Sequence, residues 1–379
     1  MKKSIAFLFF IFCCKLTFSQ FYLKIVVNTV ATKTLDEIYV AGSFNGWNPK
    51  DENFKLKPLG VNRKGIVIKN ITLGNHEFKL TRGSWDKVEC TANGENIDNR
   101  AVTIDDDKII EIDVKGWKDD FPDKPKPYTA SQQVKIIDSA FYIPQLKRSR
   151  KIWIYLPKSY ATSKISYPVL YMQDGQNLFN EQTASYEEWG VDECLDTLQQ
   201  QLKKECIVVG IDHGSDKRLT EYNPFNNEKY GKEEGIEYVD FLVNTLKPFI
   251  DKNYRTLTTS NKTYIAGSSM GAYISFYALL KYSNVFGAVG VFSPSFWINE
   301  EMFSFTEKTN LIGLPGFYFY AGNMESETMG SNINKMADII SKKTKSIIRK
   351  VVYPLGKHNE KYWREEFDDF YKWLMNTFN

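Results

Sequence analysis

The 379-residue chain is short of the side chains that hold metals and move protons, with three histidines and five cysteines. No group of cysteine and histidine has metal-ligand spacing, so neither a metal nor a cofactor is expected. Two of the cysteines, Cys13 and Cys14, fall in the first 20 residues. The other three, Cys90, Cys194 and Cys206, are an odd set and cannot form a complete intramolecular disulfide framework. Cys194 lies on an apolar helix face and Cys206 opens an apolar strand, so both are expected as small buried residues. The chain also lacks an excess of one charge: 49 Lys and Arg against 46 Asp and Glu leave +3, which gives no electrostatic case for nucleic acid.

Long hydrophobic runs are missing too. The apolar stretch Ile5–Cys14 is half of the roughly 20 residues needed to span a bilayer, and no later segment reads as transmembrane. It follows Lys2-Lys3 and precedes Lys15-Leu-Thr-Phe-Ser-Gln20, the parts of a secretory signal peptide over residues 1–20, with cleavage near Ser19 or Gln20. The mature protein is therefore expected to be exported, periplasmic or extracellular.

What the chain does contain is apolar and aromatic material, 42% and 15% of residues, enough for two cored domains. Residues 21–118 offer short strands at Phe21–Asn28, Glu37–Gly42, Gly65–Ile71, Asn75–Leu80 and Lys108–Val114, separated by Gly, Asn, Asp and Pro turns. This spacing predicts a small immunoglobulin-like β-sandwich. His76 sits on a polar hairpin and reads as a surface histidine. Asp119-Asp-Phe-Pro-Asp-Lys-Pro-Lys-Pro-Tyr128 then mixes charge with three prolines, a semi-extended spacer over residues 119–130.

Over residues 131–379 strands alternate with helices. Strand-like runs are Val134–Ser139, Lys151–Leu156, Pro168–Gln173, Cys206–Asp212, Thr263–Ala266, Ala288–Phe292, Gly316–Ala321 and Ile348–Val352. Helical runs are Val191–Lys203, Gly235–Asp251, Met270–Lys281, Met329–Lys343 and Glu360–Phe378, with Pro248 expected to bend the last turn of the second. Such alternation means an α/β fold, a doubly wound and mostly parallel sheet, with its site beyond the carboxyl ends of the strands.

One stretch carries chemistry. In Thr263-Tyr-Ile-Ala-Gly-Ser-Ser-Met-Gly-Ala272, an apolar strand meets a helix through Gly267-Ser-Ser-Met-Gly271, the G-x-S-x-G nucleophile elbow. Ser269 is the candidate nucleophile. A nucleophilic serine needs a base, and histidine suits neutral pH. His76 is in the other domain and His213 precedes the serine, as a loop histidine lining the cleft. His358, just past the last strand, stands where an α/β-hydrolase keeps its base. Activity should then fall as the pH drops through an imidazole pKa, ordinarily about 6.5. The carboxylate between them is best placed at Glu325, immediately after a strand, with Glu327 the competitor. An oxyanion hole would use the Met270 amide and a second N–H from the loop Asp174-Gly-Gln-Asn177, with Gln176 favoured.

Two resemblances add to this reading. Ala41-Gly-Ser-Phe-Asn-Gly-Trp-Asn-Pro49 and His76-Glu-Phe-Lys-Leu-Thr-Arg-Gly-Ser-Trp-Asp86 resemble the glycogen/starch-binding modules that accompany amylase-type enzymes and some esterases. The resemblance implies α-glucan binding through Trp47, Lys79, Trp85 and Asn99. A flat indole suits the C–H face of a sugar, and lysine and asparagine suit its hydroxyls.

The larger domain resembles the putative-esterase family of α/β-hydrolases, which includes esterase D, feruloyl, acetyl-xylan and siderophore esterases and mycolyltransferases. The resemblance rests on Tyr167–Phe179, Trp189-Gly-Val-Asp192, Arg218-Leu-Thr-Glu-Tyr222, Gly267–Gly271, Gly322-Asn-Met-Glu325 and Gly356-Lys-His358. It implies a serine esterase with the triad Ser269, Glu325 and His358, and a pocket lined by Trp189, Arg218, Tyr222 and Trp297. The family more often has aspartate as the acid; glutamate works by the same physics with a longer reach. The function expected is an exported carboxylic-ester hydrolase acting on a small-molecule or oligosaccharide ester, acetyl or feruloyl in type. Alternatives are a siderophore esterase and a non-catalytic glycan-binding protein. Transfer of the acyl group to a sugar instead of water would use the same triad.

Overall fold

A computed structural model describes residues 21–121, 125–226 and 231–378. The expected signal peptide lies outside them. The chain divides into two compact units, the first ending at Lys124 and the second running from Pro125.

The first unit is built from β1 (Phe21–Val30), β2 (Tyr39–Gly42), β3 (Lys57–Pro58), β4 (Lys64–Ile71), β5 (Gly74–Thr81), β6 (Glu89–Cys90), β7 (Arg100–Ile104), β8 (Lys108–Val114) and β9 (Gly116–Trp117). One sheet runs β3-β4-β1-β8, a second runs β2-β5-β7, and β6 pairs with β9. Alternate residues of each strand point inward. Leu23, Ile25 and Val27 of β1 meet Val40, Phe78 and Leu80 of the facing sheet in one apolar layer. This is the core of a sandwich.

The tryptophan buried in this core is Trp117, fully enclosed and donating its indole N–H to the Thr32 carbonyl at 3.2 Å. Trp47 is half-buried and Trp85 is 44% exposed. His76, expected at the surface, is buried. Its Nδ1 lies 3.1 Å from the Ser43 hydroxyl and its Nε2 2.8 Å from the Thr72 carbonyl. The polarity of its hairpin neighbours misled the reading, because β5 turns this one position under the loop that follows β2.

The second unit contains β10 (Val134–Ile143), β11 (Arg148–Tyr155), β12 (Val169–Gln173), β13 (Ile207–Ile211), β14 (Thr263–Ser268), β15 (Ala288–Phe292), β16 (Gly316–Gly322) and β17 (Ile348–Tyr353). They form one sheet in the order β10-β11-β13-β12-β14-β15-β16-β17. β10, β11 and β13 pair antiparallel, and from β13 to β17 every pairing is parallel. The helices are α1 (Val191–Leu202), α2 (Arg218–Glu221), α3 (Gly235–Phe241), α4 (Lys247–Asn253), α5 (Met270–Lys281), α6 (Glu301–Lys308), α7 (Met329–Lys343) and α8 (Glu360–Phe378).

Successive residues of the central strands serve opposite faces. Val169 and Tyr171 of β12 enter the layer packed by α3, α5 and α7, while Leu170 and Met172 enter the layer packed by α1 and α8. A strand buried on both sides must be apolar throughout, which is why β12 to β16 read as continuous apolar runs. Helix α5 is likewise buried from Met270 to Leu280. Cys194 and Cys206 lie in these layers, and burial pushes their thiols up to about 12, so they are packing residues.

Two boundaries differ from expectation. The irregularity in the Gly235–Asp251 run precedes Pro248: residues Leu242–Leu246 form a π-helical turn, and Pro248 opens α4. The wider turn relieves the clash that a proline ring makes with the carbonyl four residues earlier. The expected spacer is also shorter than its composition suggested. Asp119 and Asp120 pair with Lys33 of the first unit. Lys126 donates to the carbonyls of Ala184 and Tyr186 at 2.8 Å, and Thr129 donates to Glu188 at 2.9 Å. Trp117→Ala should destabilise the first unit by about 3–5 kcal/mol, whereas Trp85→Ala should stay within about 0.5 kcal/mol, both read by chemical denaturation.

Candidate active site

Every parallel strand delivers a polar residue to the same end of the sheet. Asp174 follows β12, His213 follows β13, Ser269 follows β14, Ser293 and Ser295 follow β15, Glu325 follows β16 and His358 follows β17. A cavity of about 390 Å³ opens there, lined among others by Asp174, Asn177, His213, Arg218, Ser269 and His358.

Ser269 stands at the turn between β14 and α5 with φ 55° and ψ −121°, a conformation that L-residues avoid. Its amide donates to Phe292 O at 2.9 Å, which ties the turn to β15. The elbow closes only because two residues lack side chains. A Cβ on Gly267 would lie 2.6 Å from the Gly271 carbonyl carbon, and one on Gly271 would lie 2.9 Å from an Asp174 carboxylate oxygen. The Ser269 hydroxyl lies 3.2 Å from that of Ser295.

A second glycine pair brings the acid to the base. A Cβ on Gly322 would lie 2.2 Å from the Gly356 carbonyl oxygen, so the loops after β16 and β17 lie backbone against backbone. Across them His358 Nδ1 meets Glu325 Oε2 at 2.8 Å. The other carboxylate oxygen, Oε1, accepts from Ser293 Oγ at 2.7 Å and from the Gly322 amide at 2.6 Å. The Glu325 side chain is 1% exposed and that of His358 39%. Glu325, not Glu327, is thus the carboxylate against the imidazole. Trp363 stands edge-on to His358 with ring centroids 5.1 Å apart.

The rest of the cavity is polar. Asp174, in left-handed backbone, accepts from Arg218 Nε at 2.7 Å and Nη2 at 2.8 Å. Burial opposes the Arg218 charge, but Asp174 more than offsets it and holds the guanidinium pKa above its ordinary value. Burial lowers the His213 pKa and raises that of Glu360. His213 Nδ1 accepts from the Ser215 amide at 2.8 Å, leaving the ring proton on Nε2 while the ring is neutral.

Several expected pocket residues lie elsewhere. Trp189 is buried beneath the site, between Phe292 and Trp363 at 5.1 and 5.7 Å, because the loop that leads into α1 turns it into the layer packed by α1 and α8. Tyr222 is fully buried and lies under the Arg218 guanidinium at 5.2 Å, so it supports that side chain instead of meeting the cavity. Trp297 is 57% exposed and is not part of the cavity lining, since its turn sends Phe296 and Ile298 into the core instead. The Gln176 side chain accepts the His213 amide at 3.2 Å, and the residues its loop turns toward the cavity are Asp174 and Asn177. Met270 is the buried first residue of α5.

The sequence reading missed Ser293, Ser295, Tyr186 and Glu360. The first two stand in Ser293-Pro-Ser295, directly after an apolar strand, which was the one available signal. Among the described residues no group of three or more His, Cys, Asp or Glu is arranged to hold a metal ion, and no helix is long and apolar enough to cross a membrane.

In the first unit, the rings of Trp47 and Trp85 lie 6.3 Å apart at 39°. Lys79 Nζ donates to the Ile97 carbonyl at 2.5 Å, and Asn99 donates to Glu77 at 3.0 Å. The tryptophans are therefore together at the surface, while the lysine and asparagine are engaged within the unit.

A serine held at a strand–helix elbow, with a carboxylate–imidazole pair carried by the next strands, is the arrangement of an α/β-hydrolase. The chain belongs to the putative esterase family, whose model matches residues 143–374. It is 31% identical over 155 residues to YbbA of Bacillus subtilis, 39% of this chain and 58% of that protein. It is 36% identical over 84 residues to an alpha-amylase of Niallia circulans, 22% of this chain and 6% of that protein. The chain thus spans little more than half of the first relative and a small part of the second. The enterobactin esterase FES from Shigella flexneri, solved with enterobactin, superposes with a TM-score of 0.55 at 17% identity, covering 94% of this chain and 92% of that one. Gly322→Ala should cost about 1–3 kcal/mol, because it must push two packed backbones apart; thermal unfolding against the wild type measures it.

Proposed function

We propose that this chain is a serine carboxylic-ester hydrolase that deacylates an acylated carbohydrate. The observation that carries the reading is the Glu325–His358 pair at 2.8 Å, whose imidazole lines the same cavity as the elbow serine. Ser269 Oγ attacks the ester carbonyl while His358 Nε2 takes its proton. The Met270 amide, at the positive end of α5, holds the developing oxyanion. Glu325 keeps the Nδ1 proton in place and stabilises the imidazolium. His358 then protonates the departing alcohol, and water attacks the acyl-enzyme by the same route in reverse. The resting 3.2 Å contact between Ser269 and Ser295 fits this scheme, because such hydrogen bonds tighten onto the base only when substrate fills the site.

The cavity chemistry supports a neutral, hydroxyl-rich substrate. Arg218, the arginine among the described lining residues, already pairs with Asp174, and Glu360 adds a further carboxyl group, so an anionic acyl group finds little attraction. The paired Trp47 and Trp85 and the likeness to an alpha-amylase support a glucan as the ligand of the first unit. We further propose that the chain is exported, which would fit a substrate of that kind.

A siderophore ester is the second reading, favoured by the likeness to the enterobactin esterase over 94% of the chain. Among the described residues that line the cavity the arginine is paired with Asp174, which speaks against a catecholate. Ser269→Ala should lower kcat/KM on a small aryl acetate by about 10⁴-fold or more with unfolding unchanged; undiminished turnover sinks the hydrolase reading. Rates on acetylated and feruloylated oligosaccharides compared with a tri-catechol lactone decide the substrate class, and faster cleavage of the lactone reverses the assignment.

A further inference from the structure

Glu325 poses a physical problem. Its side chain is 1% exposed, and a carboxylate stays charged in such a place only if both oxygens are satisfied. Oε2 serves His358. Oε1 has two donors, the Gly322 amide at 2.6 Å and the Ser293 hydroxyl at 2.7 Å. The amide belongs to the loop that carries Glu325 itself. The hydroxyl comes from a different strand end and fixes the carboxylate from outside its own loop.

Ser293 is built for one direction of donation. It is fully buried, and its backbone sits at φ 49°, a strain of order 1–3 kcal/mol for a residue other than glycine. Its amide donates to the Tyr320 carbonyl at 2.8 Å, which holds the turn against β16. Its Oγ also accepts from the Trp363 indole N–H at 2.9 Å. Indole nitrogen donates only. With that donation arriving at Oγ, the single hydroxyl proton is directed at Glu325. Trp363 in turn stands edge-on to the His358 ring, so one indole contacts both the base and the serine that holds the acid.

We propose that Ser293 is a positioning residue for ester cleavage: it locks the Glu325 carboxylate so that Oε2 faces His358, with Trp363 setting the direction of its hydroxyl. The proposal rests on the reading of Ser269, Glu325 and His358 as the reacting set. The extra methylene of glutamate gives this acid one more rotatable bond than aspartate has, and the serine removes that freedom.

The test is a double-substitution cycle on the full chain with a small aryl acetate as substrate. Ser293→Gly removes the hydroxyl and also relieves the left-handed backbone, which offsets part of the cost of the two hydrogen bonds it loses, so it should remain folded at the assay temperature, as thermal unfolding checks. It should lower kcat by about 10- to 100-fold with KM within twofold, and Ser293→Ala should do the same. In a Glu325→Ala background, Ser293→Gly should cost nothing further, since the group it positions is gone. A kcat within twofold of wild type overturns the proposal, as does an equal loss recurring in the Glu325→Ala background. If Ser269→Ala remains active, the hydrolase reading itself has failed. If Ser269→Ala is dead and Ser293→Gly is neutral, only the role of Ser293 has.

Discussion

Backbone contact without intervening side chains is the constraint on which this site depends. Gly267 lies against Gly271 inside the elbow, and Gly322 lies against Gly356 between two neighbouring loops. The first contact lets the chain turn from strand to helix within one residue and leaves Ser269 at the apex. The second brings a glutamate and a histidine, 33 positions apart in the chain, within 2.8 Å. Each contact is made at the carboxyl end of a parallel strand, where the sheet itself fixes the spacing. The chemistry of the site is thus set by packing distances that only glycine permits.

Around that frame the polar groups are paired in a strict hierarchy. Glu325 is held from three sides, Asp174 by a two-pronged arginine, and His213 by the Ser215 amide at its ring and the Gln176 side chain at its backbone N–H. Such pairing is what allows carboxylates to stay in a poorly solvated cleft. It also means that little of the cavity wall is free to rearrange, so selectivity must come from its shape and from the exposed residues at its mouth, Tyr186 among them.

Much of this was legible in the chain. The sheet strands and the long helical runs follow from periodicity, because buried parallel strands and helices leave strong patterns, and the elbow follows from its G-x-S-x-G spacing. Glu325 and His358 followed from their places after the last two strands. The pocket residues were less legible. Trp189, Tyr222 and Trp297 are aromatic residues in loops, and whether such a residue faces a cavity, a core or solvent depends on the neighbours it packs against. His76 was misread for the same reason. Ser293 and Ser295 were missed because a serine in a turn is common, and only the distance to Glu325 or Ser269 gives it meaning.

One consequence concerns where the chain can be divided. The wall of the cavity that carries Ser185 and Tyr186 is pinned by Lys126 and Thr129, residues whose composition assigned them to the spacer. A hydrolase unit that starts at residue 131 would lack those anchors and keep a loosened rim. One that starts at Pro125 would retain them. The seam between the two parts is therefore narrower than the proline-rich stretch that announces it, and the last residues of that stretch belong to the active-site scaffold.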